Sequence, residues 1–421
     1  MNTIMRSCAV PLFLMSCAGA AHAQATAVPR VPADNAAVQR AVAHAGSSEP
    51  QTIAEQIAIC EIPAPPFRES ARAADYARRM GEIGLRNVRI DSVGNVIGER
   101  PGDPGEPATV VSGHLDTVFP EGTDVTVKRE ESVLRGPGIA DDCRGLAMVL
   151  AVARALDHAQ VDTRGTIYFV GTVGEEGPGN LRGVRHLLGR ELRDRVAYFI
   201  SIDSEGLEHV KDAVGSYRYR VTFKGPGGHS FGDFGMPNPM HALGRAIAHI
   251  SELQVTTSPK TTFSVGIVEG GTSVNSIASS ASFEIDMRSE TADALDEIDA
   301  RFRAAVQRAL DEENNRWPRS DVRLTVVLDR WGERPAGKQV ADAPIIAATI
   351  AAARAAGFET TSHASSTDAN MAIGMGIPGV TIGTGGRSTG SHSLAEAWDS
   401  TASHLATKWA VLLVATLAGV R

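Results

Sequence analysis

The stretch Ile167-Tyr168-Phe169-Val170-Gly171-Thr172-Val173-Gly174-Glu175-Glu176-Gly177 decides the architecture. Its first seven residues are rich in β-branched and aromatic side chains without polar alternation, the pattern of a strand covered on both faces. Strands covered on both faces run parallel, and parallel neighbours need long crossovers, usually helices. The flanking sequence supplies them. Short β-branched runs at 88–91, 109–113 and 197–202 alternate with helical patterns at 52–60, 70–84, 144–158 and 181–189. The segment Ile62-Pro63-Ala64-Pro65-Pro66 separates the first two helices. A mostly parallel α/β sheet is therefore expected over 49–212.

After about residue 212 the pattern changes. Residues 217–224 alternate like a half-exposed strand, followed by a helix at 239–253, strands at 262–268 and 280–288, a charged helix at 291–313 and a strand at 322–329. That order, β-α-β-β-α-β, predicts a ferredoxin-like α+β unit over 213–329. Alternation of the first kind resumes over 330–421, with a helix at 343–356, a strand and glycine turn at 379–386 and a closing helix at 403–418. Neither flank makes a finished sheet alone. The expectation is one α/β domain interrupted by an inserted α+β domain.

The chain has 421 residues, 43% hydrophobic and 21% charged, which excludes disorder and a polytopic membrane protein. With 49 acidic against 41 basic residues its formal charge is −8, which argues against nucleic acid or an anionic membrane surface as partner and suits cations. Arg6, the apolar run from Pro11 to Met15 and the small residues of Ala21-His22-Ala23 predict a signal peptide over 1–23, hence a secreted or periplasmic product with no membrane anchor after cleavage. Leu14-Met15-Ser16-Cys17 is a poor lipidation box. Residues 24–48, rich in Ala, Pro, Val and Ser, read as a linker. Cleavage leaves Cys60 and Cys143, either one bridge or, the preferred reading, two buried free thiols. Without Cys-x-x-Cys, a metal would be held by nitrogen and oxygen.

His, Asp and Glu recur where strands should end. In Gly113-His114-Leu115-Asp116-Thr117, alternation puts His114 and Asp116 on one side, where a carboxylate can fix the imidazole tautomer for a metal. Gly136-Pro137-Gly138-Ile139-Ala140-Asp141-Asp142 precedes a helix, so either aspartate can be its N-cap. Glu175 and Glu176 are two carboxylates at the mouth of a buried strand, costly without a positive partner; one suits a ligand and the other a general base. Asp203 follows the run at 197–202. Ligands of open α/β sheets bind at the carboxyl ends of strands, so these four ends converge.

The order and spacing of Gly-His-Leu-Asp-Thr (113–117), Gly-Pro-Gly-Ile-Ala-Asp-Asp (136–142), Gly-Glu-Glu-Gly (174–177), Gly-Pro-Gly-Gly-His-Ser (225–230) and Gly-Ser-His-Ser (390–393) resemble the di-zinc M20 metallopeptidases from about residue 50 onward. That family includes tripeptidase T-like aminopeptidases, glutamate carboxypeptidases, dipeptidases and acyl-amino-acid deacylases. The resemblance implies a zinc-peptidase-like catalytic domain with an inserted lid that dimerises, and hydrolysis of small peptides or N-acyl-amino acids. By motif, His114 and Asp203 would hold one Zn2+, Glu176 and His392 the other, and Asp141 both, with Co2+ or Mn2+ as substitutes. Asp116 would orient His114. Glu175 would act as general base on the metal-bridging water. His229 would reach the partner subunit's site to stabilise the oxyanion, and Asn275 and Arg288 would hold the substrate, often its carboxylate. Asp rather than Glu at 203 matches the aminopeptidase and dipeptidase branches. The family usually has Lys two residues after the bridging aspartate, where this chain has Cys143 followed by Arg144.

Two competing readings are weaker. Gly228-His229-Ser230-Phe231-Gly232 matches the serine-hydrolase elbow, but Pro237 and Pro239 follow within a glycine-rich loop instead of an immediate helix. A non-catalytic exported binding protein would need ligands but no base, and Glu175 is present.

Overall fold

The computed structural model describes residues 30–421, so the leader read at 1–23 lies outside the described residues. An eight-stranded mixed sheet forms the larger domain. Its spatial order is Arg86–Ile90, Val96–Arg100, Ile167–Thr172, Ala108–His114, Val196–Ile202, Gly379–Ile382, His209–Ala213 and Ser362–Ser365. The middle four run parallel, while Arg86–Ile90 pairs antiparallel with Val96–Arg100, which pairs antiparallel with Ile167–Thr172. All seven residues of Ala108–His114 and all six of Ile167–Thr172 are buried, as their unbroken apolar runs required. Period-two alternation divides them: Val111, Phe169 and Ile200 enter one core, and Val110, Val170 and Phe199 the other.

Helix Cys143–His158 packs across the first face, and Asp142 caps it by accepting the Gly145 amide at 3.0 Å. The closing helix His404–Ala418 is buried along nearly its whole length, and its Trp409 indole donates to the Thr349 carbonyl at 2.9 Å. The linker reading of 24–48 is corrected over its second half. Residues Ala36–Ser47 form a helix capped by Asn35, with Val38, Ala41 and Ala45 buried in the main core. These apolar positions at i, i+3 and i+7 make one helical face. The predicted helix at 181–189 is a short α-helix, Arg182–His186, that widens into a π turn at Leu187–Glu191. A small four-stranded sheet, absent from the sequence reading, joins Lys128–Glu130, Val133–Arg135, Arg387–Thr389 and Ala397–Asp399.

The inserted domain is a four-stranded antiparallel sheet in the order Thr261–Gly270, Ser280–Ser289, Gly215–Lys224, Thr325–Arg334. Alternate residues Ala281, Phe283, Ile285 and Met287 are buried in its core with residues of helices Pro239–Ser251 and Ala292–Arg316. Its last strand runs to Arg334, past the expected limit at 329. Two crossings join the domains, and Ala213 and Gly337 exchange backbone hydrogen bonds of 2.8 and 3.0 Å there. Cys60 and Cys143 are free and buried in one apolar cluster with Ile139 and Trp398.

Candidate metal centre

The parallel strands end at the domain junction. His114 is the last residue of its strand, Asp203 follows Val196–Ile202, and Glu175 and Glu176 stand just beyond Ile167–Thr172. Asp141 joins them from the turn before helix Cys143–His158, and His392 from the loop between Arg387–Thr389 and Ala397–Asp399. The helix cap falls to Asp142, whose other oxygen accepts the His114 amide at 2.9 Å, leaving Asp141 to face the site.

Asp141 is the hub. One carboxylate oxygen lies 3.0 Å from His114 Nε2 and the other 3.0 Å from His392 Nε2. Asp203 approaches His114 Nε2 to 3.8 Å, and Glu176 approaches His392 Nε2 to 3.2 Å. Three candidate ligand groups result, each with donor atoms mutually within 4.8 Å: His114, Asp141, Asp203 and Asp141, Glu176, His392, which share Asp141, and His114, Glu175, Glu176. His392 adopts φ 63°, a left-handed backbone uncommon outside glycine.

The expectation that the Asp116 carboxylate orients His114 is corrected: its backbone carbonyl makes that contact. Its carbonyl lies 3.0 Å from His114 Nδ1, whereas its carboxylate is 3.7 Å away. That carboxylate instead accepts the amides of Glu175 at 3.0 Å and Glu176 at 2.9 Å, fixing both glutamates. Glu396, missed in the sequence, does the same for the aspartate loop: it accepts from Gly138 at 2.8 Å, Ala140 at 2.9 Å and Asp141 at 3.2 Å. Arg144 turns away. It is buried against Glu49 at 2.9 Å and over the Trp398 ring, so its charge belongs to the core and not the site.

The protonation pattern fits cations. Burial pushes the Asp203 carboxyl well above its usual range and Glu176 up to about 7. Hydrogen bonds to Asp141 and Glu176 raise His392 to about 10. Burial opposes charge on His114, yet the Asp141 hydrogen bond and the surrounding carboxylates raise it well above its ordinary value. Protons on both imidazoles thus offset clustered carboxylates, the electrostatic work that divalent cations do on deprotonated ligands. The nitrogen and oxygen donors suit Zn2+, with carboxylate oxygens also acceptable to Mn2+.

Asp141, Glu175, Glu176, Asp203 and His392 line a cavity of about 430 Å³ that also includes Arg218, Arg288, Arg334 and Ser366. Arg288 is brought to the site, its Nε on Asp286 at 2.6 Å. His229 and Asn275 are not. They lie on an exposed platform of the inserted domain, where His229 Nδ1 accepts the Phe231 and Gly232 amides at 3.2 Å each and Asn275 is held by Ser273. Those amides leave the proton on Nε2. Arg218 and Arg334 had no sequence signal, being ordinary arginines in alternating strands. Elsewhere, Asp91, His186 and Glu191 also converge, but Asp91 is committed to the amides of Val93, Gly94 and Asn95.

One carboxylate shared by two ligand triads, with another carboxylate alongside, is the arrangement of a two-metal hydrolase. Residues 110–416 match the model of Peptidase family M20/M25/M40, and the chain belongs to that family. The protein YqjE of Bacillus subtilis (strain 168) is 24% identical over 356 residues, covering 80% of this chain and 91% of its own length. A succinyl-diaminopimelate desuccinylase of Pseudomonas syringae pv. syringae is 28% identical over 222 residues, 47% of this chain and 57% of that enzyme. Among solved structures, aminopeptidase PepT from Bacillus cereus ATCC 10987 has a TM-score of 0.71 at 22% identity, covering 88% of this chain and 99% of its own. The Bacillus subtilis YXEP protein, titled a dinuclear metal binding peptidase of the M20 family, has a TM-score of 0.64 at 17% identity, covering 88% and 98%. At such identities the structures bear on the fold. Family membership makes the chain an M20 hydrolase of peptide or amide bonds, and its clustered His, Asp and Glu side chains could hold metal.

Proposed function

We propose that the protein is an exported two-zinc exopeptidase acting on small peptides. The observation that carries this is Asp141 suspended between His114 and His392, with Glu175 and Glu176 anchored beside it by one carboxylate. His114 and Asp203 would hold one ion, Glu176 and His392 the other, and Asp141 both. Ions held there would supply Lewis acidity toward the scissile carbonyl and the attacking water. Glu175 would accept a proton from the attacking water and return it to the leaving nitrogen; it lies outside the two groups that share Asp141 and beside them, grouped with His114 and Glu176.

Arg288, with its fork partly exposed in the cavity beside the candidate ligands, pairs with a substrate carboxylate. His229, whose backbone contacts leave Nε2 as a donor, completes the oxyanion site of a second subunit in a homodimer built through the inserted domain. Export rests on the leader at 1–23. A second reading, removal of an acyl group from an N-acyl-amino acid, is favoured by the desuccinylase likeness and by Arg218 and Arg288 lining the cavity. One panel separates them. Dipeptides, tripeptides and N-acyl-amino acids, with free or blocked ends, are offered to the zinc-loaded protein. The exopeptidase reading requires cleavage of free peptides and loss of cleavage when the recognised end is blocked. Cleavage of N-acyl-amino acids alone selects the second reading, and cleavage of nothing refutes both.

A further inference from the structure

The inserted domain grips Glu175 directly. Arg334, the last residue of strand Thr325–Arg334, is buried, and its Nη1 donates to Glu175 Oε1 at 2.8 Å and to Ser366 Oγ at 3.1 Å. Its Nη2 donates to the carbonyl of the same glutamate. Glu175 is thus held at three points: its amide by Asp116 from the catalytic domain, its carbonyl and carboxylate by Arg334 from the root of the insert. Neighbouring contacts repeat the connection. Arg218 Nη1 donates to the Gly177 carbonyl at 2.9 Å, the Glu333 amide donates to Asn180 Oδ1 at 2.8 Å, and Arg185 Nη2 donates to the Glu333 carbonyl at 2.8 Å. Three residues beyond Arg334, Gly337 pairs with Ala213 at the joint between the domains.

From this geometry we infer that Arg334 is the positioning residue for Glu175, tying the carboxylate that handles the proton to the placement of the inserted domain. The inference rests on the reading of Glu175 as base. A planar guanidinium spans a carboxylate and a carbonyl of one residue and so fixes both the backbone and the side-chain torsions of Glu175; a lysine ammonium is a point donor and holds one of them. Arg334 makes no hydrogen bond to the side chains of His114, Asp141, Glu176, Asp203 or His392 among the described residues, so its loss leaves the two groups that share Asp141 in place.

The test compares Arg334→Ala, Arg334→Lys and Glu175→Gln in the full-length, zinc-loaded protein on the best substrate of the panel. Misplacing a reacting group by an ångström costs about 10²-fold, so Arg334→Ala should lose about that factor in kcat with KM little changed and both metal ions retained. Arg334→Lys should fall between, and guanidinium ion should restore part of the kcat of Arg334→Ala but nothing to Arg334→Ala/Glu175→Gln. In metal-free protein, Arg334→Ala should exchange its amide hydrogens faster over 174–180. If Arg334→Ala does not fold, Arg334→Lys carries the same comparison of kcat, KM and exchange. Wild-type kcat in the arginine variants, with Glu175→Gln inactive, overturns the inference alone. An active Glu175→Gln overturns the base reading beneath it.

Discussion

Replacing Asp116 with asparagine isolates what one carboxylate contributes to the centre. The side chain is nearly isosteric and fully buried, so no cavity opens. In the native chain its two oxygens each accept one amide, Glu175 at 3.0 Å and Glu176 at 2.9 Å. Asparagine keeps one acceptor and turns an NH2 toward the other amide. Hydrogen bonds to charged groups contribute about 1.5–3 kcal/mol each, and an unsatisfied buried donor costs about 1–3 kcal/mol. Burial raises the Asp116 pKa, so removing its charge gives part of this back. The net expectation is a loss of about 1–3 kcal/mol in the metal-free protein, read by urea unfolding. Both glutamates then relax. Metal affinity should fall about 10–100-fold in a chelator-competition titration, as for other partners of metal ligands, and kcat by about 10²-fold. Unchanged metal affinity together with unchanged turnover would refute the claim that this carboxylate sets the two glutamates.

Removing the shared ligand and a terminal ligand should differ in stoichiometry: Asp141→Ala should empty both sites and His392→Ala one, counted by elemental analysis after gel filtration. Arg144→Met strands the Glu49 carboxylate and should destabilise by about 3–5 kcal/mol while leaving metal content intact, which distinguishes a core ion pair from a site residue. Burial raises Asp368 to about 7, so its contribution to the stability of the metal-free protein is complete below the ordinary carboxylate pKa and is lost as pH rises from about 4 to 7. Asp368→Asn should flatten the stability-versus-pH curve across that window; an unaltered slope would contradict the assignment.

The α/β frame and its insert were legible because burial leaves a direct mark: strands covered on both faces are apolar without interruption, and the alternating strands after residue 212 have one face wet. The strand-end residues His114, Glu175, Glu176 and Asp203 were legible for the same reason, being abrupt polarity at the end of apolar runs. Helix Ala36–Ser47 was missed because its apolar face is mostly alanine and valine in a proline-containing neighbourhood, a composition shared with linkers. Glu396 and Arg334 left no signal. One is a glutamate in a polar loop, the other an arginine in a wet strand, and each finds its role only by contacts to residues 256 and 159 positions away. Arg144 is the converse case: its charge is near the motif in sequence, yet its side chain points into the core.

The central claim is that Glu175 moves the proton while other residues hold the ions, and Glu175→Gln tests it most directly when metal content and turnover are measured on the same preparation. The account predicts two bound ions per chain, as in the wild type, with turnover reduced by about 10²–10⁴-fold or more. Turnover close to wild type with both ions bound would contradict it.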